Sequence, residues 1–260
     1  MGRPMPRIPT QATLSARAAT ALDTLNRLHD KYQAMYPTHG CVFGEGGIPA
    51  SVMVVGGLPS AQALLNPHNV YDEQRTGIEK LMISAGLYTH ETTIWIGDVQ
   101  HTMHVPNTYI TYTVKHKPPI TRRGYTVNAR HVKTEHIELP GVQPLLQAEW
   151  YLIGMPKIII VLDGPTYRLF TGSRNTHFIA NSGRPVTTRI FGKHEVTVWP
   201  LISRFILPYA QLNKHDQETG MRFMEQQWTA LDDWIERNPK AMIPYDASGK
   251  RALFMRYDLQ

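Results

Sequence analysis

Cysteine is almost absent: Cys41 stands alone among 260 residues. A single thiol excludes an internal disulfide and any cysteine-ligated cluster, and it fits a reducing compartment. No apolar run reaches the length of a membrane span, so no membrane partner is expected. The opening stretch MGRPMPRIPTQATLSARAA has basic residues but no apolar core. It slightly resembles a transit peptide in its Arg and Ser content, but a frayed tail leading into a helix is the simpler reading, and an intracellular protein without a secretory signal is expected. Phosphate-binding loops are lacking as well. GEG at 44–46 and GG at 56–57 have neither a Lys-Ser/Thr ending nor GxGxxG spacing. No HExxH or Cys/His spacing points to a metal, and no cofactor is expected. Neither an internal repeat nor a low-complexity segment interrupts the chain.

Acidic residues are the minority charge. Asp and Glu number 21 against 27 Lys and Arg, a net charge of +6. A basic balance favours polyanionic partners through counterion release and steering. Twelve histidines add positive charge at mildly acid pH. At 42% hydrophobic and 18% charged, the composition is that of a globular chain that needs no disulfide or metal to hold its core.

Periodicity divides the chain. Leu14, Ala18, Leu22, Leu25 and Leu28 recur at helical spacing and predict an amphipathic helix over 12–36, ended by Pro37 and Gly40. SVMVVGG and PKIIIVLDG are apolar runs stopped by glycine, as buried parallel strands are. A helix is expected over 77–86, a strand or loop excursion in THETTIWIGD, and a strand over 109–116. Residues 117–140 read as a long basic loop. Helices follow at 140–154 and in PTYRLFTG, the latter capped by Gly172. Two strand candidates, PVTTRIFG and HEVTVWPL, precede an amphipathic helix at 216–237 carrying Met221, Met224, Trp228, Leu231 and Ile235. This order predicts an α/β fold, a three-layer α/β/α arrangement around a central, mostly parallel, four-stranded sheet. Residues 1–36 form an N-terminal tail and helix, 37–237 the main domain, and 238–260 a C-terminal tail. In such sheets ligands sit beyond the carboxyl ends of the strands. Those ends are Gly56–Ser60, Lys115–Pro119, Asp163–Pro165 and Trp199–Arg204.

Four segments in order carry a resemblance. CVFGEGGIPASVMVVGG is similar to a VFGEG…VMFVGE entry. LPSAQALLNPHNVYDEQRTGIEKLMISAGL is similar to a motif loop followed by a GxxGxLLDxLLxxxGL helix. YITYTVKHKPP resembles YITNAVKCRPP, and PKIIIVLDGPTYRLFTG resembles PKVIVALGxxAxxxLLG. Over about residues 41–237 the chain thus resembles the uracil-DNA glycosylase superfamily, closest to the thermophile-type and bacterial families numbered four and five. The resemblance implies a uracil-DNA glycosylase-like sheet, DNA as partner (duplex or single-stranded), and base excision in DNA repair by hydrolysis of an N-glycosidic bond. It also implies base flipping, replication or repair proteins as companions, and a monomer.

The departures bear on catalysis. The first motif, GEAPG or GLAPA in the family, is Gly57-Leu58-Pro59-Ser60-Ala61 here. The base-reading Asn is Tyr112. A cluster cysteine is His116, so no iron–sulfur cluster is expected. Leu201 stands where the late motif has His, and Ser203 alone survives. N-glycosidic cleavage passes through a cation-like sugar and needs negative charge or a water-positioning acid, with a donor for the leaving base. Asp72 and Glu73 are the nearest loop carboxylates and the candidate catalytic acids, with Asn66 as an alternative water-positioning group; solvated loop acids are the plain alternative. Gly57, Leu58, Pro59, Tyr71 and Tyr112 are the expected base-binding set, Tyr71 either stacking a base or packing under the loop. Ser60, Lys115, Lys117, Arg122, Arg123, Ser203 and Arg204 are the expected DNA contacts, and the basic loop with Tyr125 between its charges suits phosphates. His177 or His194 are candidate replacements for the missing His. The sequence leaves open a glycosylase with a remodelled pocket, a catalytically inactive DNA-binding or replication accessory module, and a small-ligand α/β protein.

Overall fold

The apolar run Ile158–Val161 lies fully buried inside a six-stranded sheet in the computed structural model, which describes residues 11–59, 63–64, 88–96, 99–106, 108–122, 125–128, 131–174, 176–191, 194–202 and 214–242. The chain runs α1 (Gln11–Met35), β1 (Glu45–Gly46), β2 (Val52–Gly56), β3 (Tyr88–Ile96), β4 (Val99–Pro106), β5 (Thr108–Tyr112), β6 (Pro119–Arg122) and β7 (Tyr125–Asn128). It continues through α2 (Thr134–Ile137), α3 (Val142–Leu152), β8 (Ile158–Val161), α4 (Gly164–Thr171), α5 (Thr176–Ala180), β9 (Val186–Ile190), β10 (His194–Pro200) and α6 (Lys214–Arg237).

The sheet order is β1-β5-β2-β8-β10-β9. The inner four strands are mutually parallel, β2 pairing with β5 and β8, and β8 with β10. Strands β1 and β9 add antiparallel edges. The expected four-stranded sheet is therefore six-stranded: short Glu45–Gly46 has no apolar pattern to announce it, and β9 alternates exposure as an edge strand does. Strand alternation divides the core. Met53, Val55, Ile159, Val161, Val196 and Val198 point to a layer containing Leu25 of α1, Trp150 of α3 and Phe170 of α4. Val52, Val54, Ile158, Ile160 and Trp199 point to the opposite layer, where Trp228 and Leu231 of α6 pack. Burial on both faces explains why the strands are continuously apolar. Each fully buried Ile or Val contributes roughly 1.5–3 kcal/mol.

Local chemistry sets the ends of α4. Asp163 caps it, accepting from Thr166 N at 2.8 Å, Pro165 sits in its first turn, and Gly172 closes it at φ 68°. Helix α1 belongs to the body rather than to a separate tail segment: Leu25 joins the main core, while Tyr32 packs with Val114, Val142 and Leu145. Two other expectations change. Residues 117–140 hold the β6–β7 hairpin and α2 rather than a loop. The strand alternative for THETTIWIGD is the one seen: it contributes to β3, which among the described residues pairs only with β4. The strand predicted over 109–116 ends at Tyr112, after which the chain bends. The helix expected over 77–86 lies outside the described residues. Among the described residues no helix is long and apolar enough to cross a membrane.

Candidate functional site at the carboxyl edge

The parallel register brings the ends of β2, β5, β8 and β10 to one edge, and backbone bonds continue the ladder past them. Thr113 N donates to Gly56 O at 2.7 Å, Val114 N to Gly57 O at 3.0 Å, Leu162 N to Val55 O at 3.1 Å and Leu201 N to Val161 O at 3.0 Å. The four loops expected to form a site thus leave from adjacent points. Gly57 is needed there for close approach. A Cβ on it would lie 2.5 Å from Val132 Cγ1 and 3.0 Å from Asp163 Oδ2. Leu58 packs beside the cluster of Tyr32, Cys41 and Val114, and Pro59 is buried.

Asp163 sits at this edge beneath Gly57. Its Oδ2 lies 2.8 Å from Thr166 Oγ1, which lies 2.7 Å from Thr113 Oγ1, which lies 3.1 Å from Gly56 O. Burial raises its carboxyl to about 6, against the hydrogen bonds from Thr166 that favour the ionised form. Protonation also completes the chain. A protonated Asp163 donates to Thr166, Thr166 to Thr113, and Thr113 to Gly56 O, so each oxygen has its proton. With Asp163 ionised, Thr166 must donate to it, and Thr113 has one proton for two acceptors. The sequence marks Asp163 only as a strand end. The stronger signal is VLDGP, an Asp directly before a Gly-Pro helix start.

Tyr112 and Leu201 are the two positions at which the resemblance leads one to expect an amide and an imidazole. Tyr112 is 3% exposed and Leu201 0%, and both belong to the apolar cluster with Val54, Ile160, Trp199 and Trp228. Tyr112 therefore does not line an open base-sized space. Neither proposed substitute imidazole serves this edge directly: His194 opens β10 at its amino end, bonded to Tyr151 Oη at 3.1 Å, and His177 is exposed on α5.

Lys115 is the clearest correction among the expected DNA contacts. Its side chain is fully buried, with Nζ 2.6 Å from Glu149 Oε2 and 2.6 Å from Tyr112 O, and a further bond to Thr111 Oγ1. All three ammonium protons are satisfied internally, so the group reaches no phosphate. Glu149 of α3 also accepts from Thr111 Oγ1 at 3.2 Å and lies 3.4 Å from Tyr109 Oη and His29 Nε2. Burial pushes the Glu149 carboxyl up, but Lys115 and His29 outweigh it and hold the group below its ordinary value. Burial likewise lowers Lys115 against the pull of Glu149. The sequence signal for this pair is one acid on the buried face Leu145-Leu146-Glu149-Trp150 of an apolar helix.

Next to Lys115 the chain turns outward. Lys117 is partly exposed, and Arg122 ends β6 in the hairpin that follows. Ser60, Asn66, Tyr71, Asp72, Glu73, Arg123, Ser203 and Arg204 lie outside the described residues. The segment leading to Ser203 is anchored: Gln227 Oε1 accepts from Ile202 N at 2.9 Å and from Ser182 Oγ at 2.7 Å. Among the described residues no group of three or more His, Cys, Asp or Glu is arranged to hold a metal ion. No protein-family model matches the chain, and no curated protein matches it significantly.

Proposed function

We propose that this chain is a DNA-binding module built on a uracil-DNA glycosylase-like scaffold whose base pocket is closed. The observation that carries the reading is the burial of Tyr112 and Leu201 in one apolar cluster at the carboxyl edge. A site that reads a flipped base by hydrogen bonding needs a matched donor and acceptor facing an open pocket, and it needs a donor for the leaving anion. A phenol and an isobutyl group packed into the core supply neither. Losing one such donor commonly costs about 2.7–4 kcal/mol of transition-state stabilisation.

Binding rests on different features. The net charge is +6, and the sequence that follows β5 carries Lys117, Arg122, Arg123 and Arg130. Contacts of this kind hold phosphates and carry no sequence information. Two-stranded ribbons such as β6–β7 are an established way to enter a DNA groove. Replication or repair proteins are the companions this reading favours.

The test is binding of the full chain to duplex and single-stranded DNA across salt, with base release recorded on the same samples. The substrates carry uracil, hydroxymethyluracil, thymine mismatches or hypoxanthine. The expected result is affinity falling linearly on a log–log salt plot, with no base released. Each phosphate contact neutralised contributes a slope of about −0.9 on duplex DNA. Arg122→Ala should flatten that slope by about one. Base release abolished by Asp72→Asn or Glu73→Gln would overturn the closed-pocket reading in favour of a glycosylase with a relocated acid. Absence of salt-dependent binding would sink the DNA reading altogether.

A further inference from the structure

Of the net charge of +6, five charges belong to residues 164–194, which carry Arg168, Arg174, Arg184, Arg189 and Lys193 and neither Asp nor Glu. The rest of the chain nearly balances. The stretch builds α4, α5 and β9, and β9 is the sheet edge four strands away from β5. At ordinary strand spacing that is about 19 Å, so this surface is separate from the point where the segment after β5 begins. Arg168, Arg174, Arg184 and Arg189 are all exposed. Among the described residues none of the four guanidinium groups has an ion pair or a hydrogen bond.

A fixed frame presents these arginines. Helices α4 and α5 lie in one layer: Phe170 and Phe178 enter the same core, the Tyr167 and Phe178 rings meet edge to face at 6.0 Å, and Asn181 Nδ2 donates to Tyr167 Oη at 2.9 Å. On α4, Thr166, Tyr167 and Phe170 are buried, which turns Arg168 to solvent. The turn after α5 is pinned to the carboxyl end of β10. Gly183 N donates to Pro200 O at 2.9 Å, Ser182 Oγ to Gln227 Oε1 at 2.7 Å, and Arg184 N to Asn181 O at 3.0 Å. Gly183 takes φ 76°, and a Cβ there would lie 2.9 Å from Gln227 Cγ. Arg184 is therefore held at the carboxyl edge. The acids that bound the stretch are Asp163 and Glu195. Asp163 is bonded to Thr166 as the cap of α4, and Glu195 stands opposite Arg189 in the β9–β10 register, so Arg189 is not counted below.

We propose that Arg168, Arg174 and Arg184 form a second phosphate-contacting surface for duplex DNA, carried by α4, the link to α5 and the turn before β9. The proposal rests on the DNA-binding reading and adds to it a contact face on the far side of the sheet from β5. Exposed, unpaired cations in an acid-free stretch are the electrostatic footprint of a polyanion. Helix α4 is about 12 Å long, and a duplex presents about seven phosphate charges over that length, so three contacts fit it. All three cations are arginines, whose planar fork donates two bonds to one phosphate. Among the described residues of α4, α5 and the turn, Ile179 is the only large apolar side chain that is exposed. That is too little apolar surface for the core of a protein interface, which favours the phosphate backbone over an acidic protein.

The experiment measures affinity of the full chain for duplex DNA across salt in the parent, the triple variant Arg168→Ala/Arg174→Ala/Arg184→Ala, Arg122→Ala and Arg27→Ala. Unfolding midpoints are recorded alongside to establish that each folds. Arg27 is an exposed arginine on α1, paired to Asp23 at 2.9 Å, and controls for net charge alone. Expected is a log–log salt slope flatter by about three in the triple variant and unchanged in Arg27→Ala. A parental slope in the folded triple variant, with flattening in Arg122→Ala, overturns the proposal and leaves the DNA-binding reading standing. Flattening by about one in Arg27→Ala also overturns it, since any arginine would then serve. No salt-dependent binding by the parent removes the DNA-binding reading and this surface with it. Polyglutamate bound at lower concentration than the duplex, and lost in the triple variant, overturns the proposal by assigning the face to an acidic protein.

Discussion

Replacing Lys115 by Met tests where the charge sits. The side chains of Lys115 and Glu149 are both fully buried and 2.6 Å apart, so Lys115→Met leaves a carboxylate in the core with Thr111, Tyr109 and His29 as its remaining polar neighbours. Breaking a buried pair in this way costs about 3–5 kcal/mol. For a chain of this length 1 kcal/mol moves the melting point by roughly 2–4 °C, so Lys115→Met should melt roughly 6–20 °C below the parent. The loss should depend on pH. In the parent, Glu149 is held below its ordinary value, so its stabilisation is present above the unfolded carboxylate range and fades as pH falls through the lowered value. In the variant the isolated carboxyl is raised by burial and gains stability as pH falls through that raised value. The gap between the two proteins should therefore narrow towards pH 4. Adding Glu149→Leu should restore most of the loss, because an apolar pair in place of a buried ion pair is often neutral or stabilising by about 1–4 kcal/mol. Denaturant titrations across pH, with DNA binding measured on folded samples, give the answer. A Lys115→Met protein with parental stability and a DNA salt slope flatter by about one would refute the reasoning and return Lys115 to the phosphates.

Asp163→Asn should remove a pH dependence. With its carboxyl raised to about 6, Asp163 favours folding most below the unfolded carboxylate range, and that advantage is lost as pH rises to about 6. A carboxyl raised that far above its ordinary value corresponds to about 2–3 kcal/mol, so the parent should lose up to that amount between about pH 4 and 6.5. Asp163→Asn, which retains a carbonyl acceptor for Thr166 N, should not. Unfolding midpoints of both proteins across that range decide it, and parallel curves would mean that Asp163 titrates in its ordinary range. Gly57→Ala should destabilise by about 1–3 kcal/mol, since the new methyl would sit 2.5 Å from Val132 Cγ1. Val132→Ala in the same chain should recover much of the loss, which a double-mutant cycle of unfolding midpoints measures.

The sequence reveals strands and helices wherever burial is two-sided or strongly periodic. Ile158–Val161 and Val52–Gly56 are apolar without a break because both faces are covered, and α1 and α6 show the helical stripe that docks them. What it conceals is non-local. Lys115 reads as one more charge in KHKPP, and only the bend after Tyr112 turns its ammonium back onto Thr111, Tyr112 O and an acid 34 residues ahead. The edge strand β1 and the β6–β7 hairpin are short, and among the described residues β6 and β7 pair only with each other, so no core imposes a pattern on them. Asp163 is hidden for the opposite reason: it looks like an ordinary cap until a neighbour from another strand or helix covers it.

On the proposed reading, the closing of the pocket is a property of a cluster rather than of Tyr112 and Leu201 taken singly. Tyr112 ends β5 opposite Gly56, and Leu201 follows β10 with its N–H on Val161 O. Their side chains share one apolar cluster with Trp199, Trp228 and Leu231, which ties both carboxyl-edge loops to helix α6. A polar group introduced in place of Leu201 would enter an apolar surround and, left unpaired, cost on the order of 1–3 kcal/mol. It would also leave a void where the larger side chain had been. Replacing Tyr112 by Asn would likewise remove a large buried side chain from the sheet edge. On the proposed reading, the packing that closes the pocket also ties the edge to helix α6, and a well-held edge is what a phosphate-contacting surface requires.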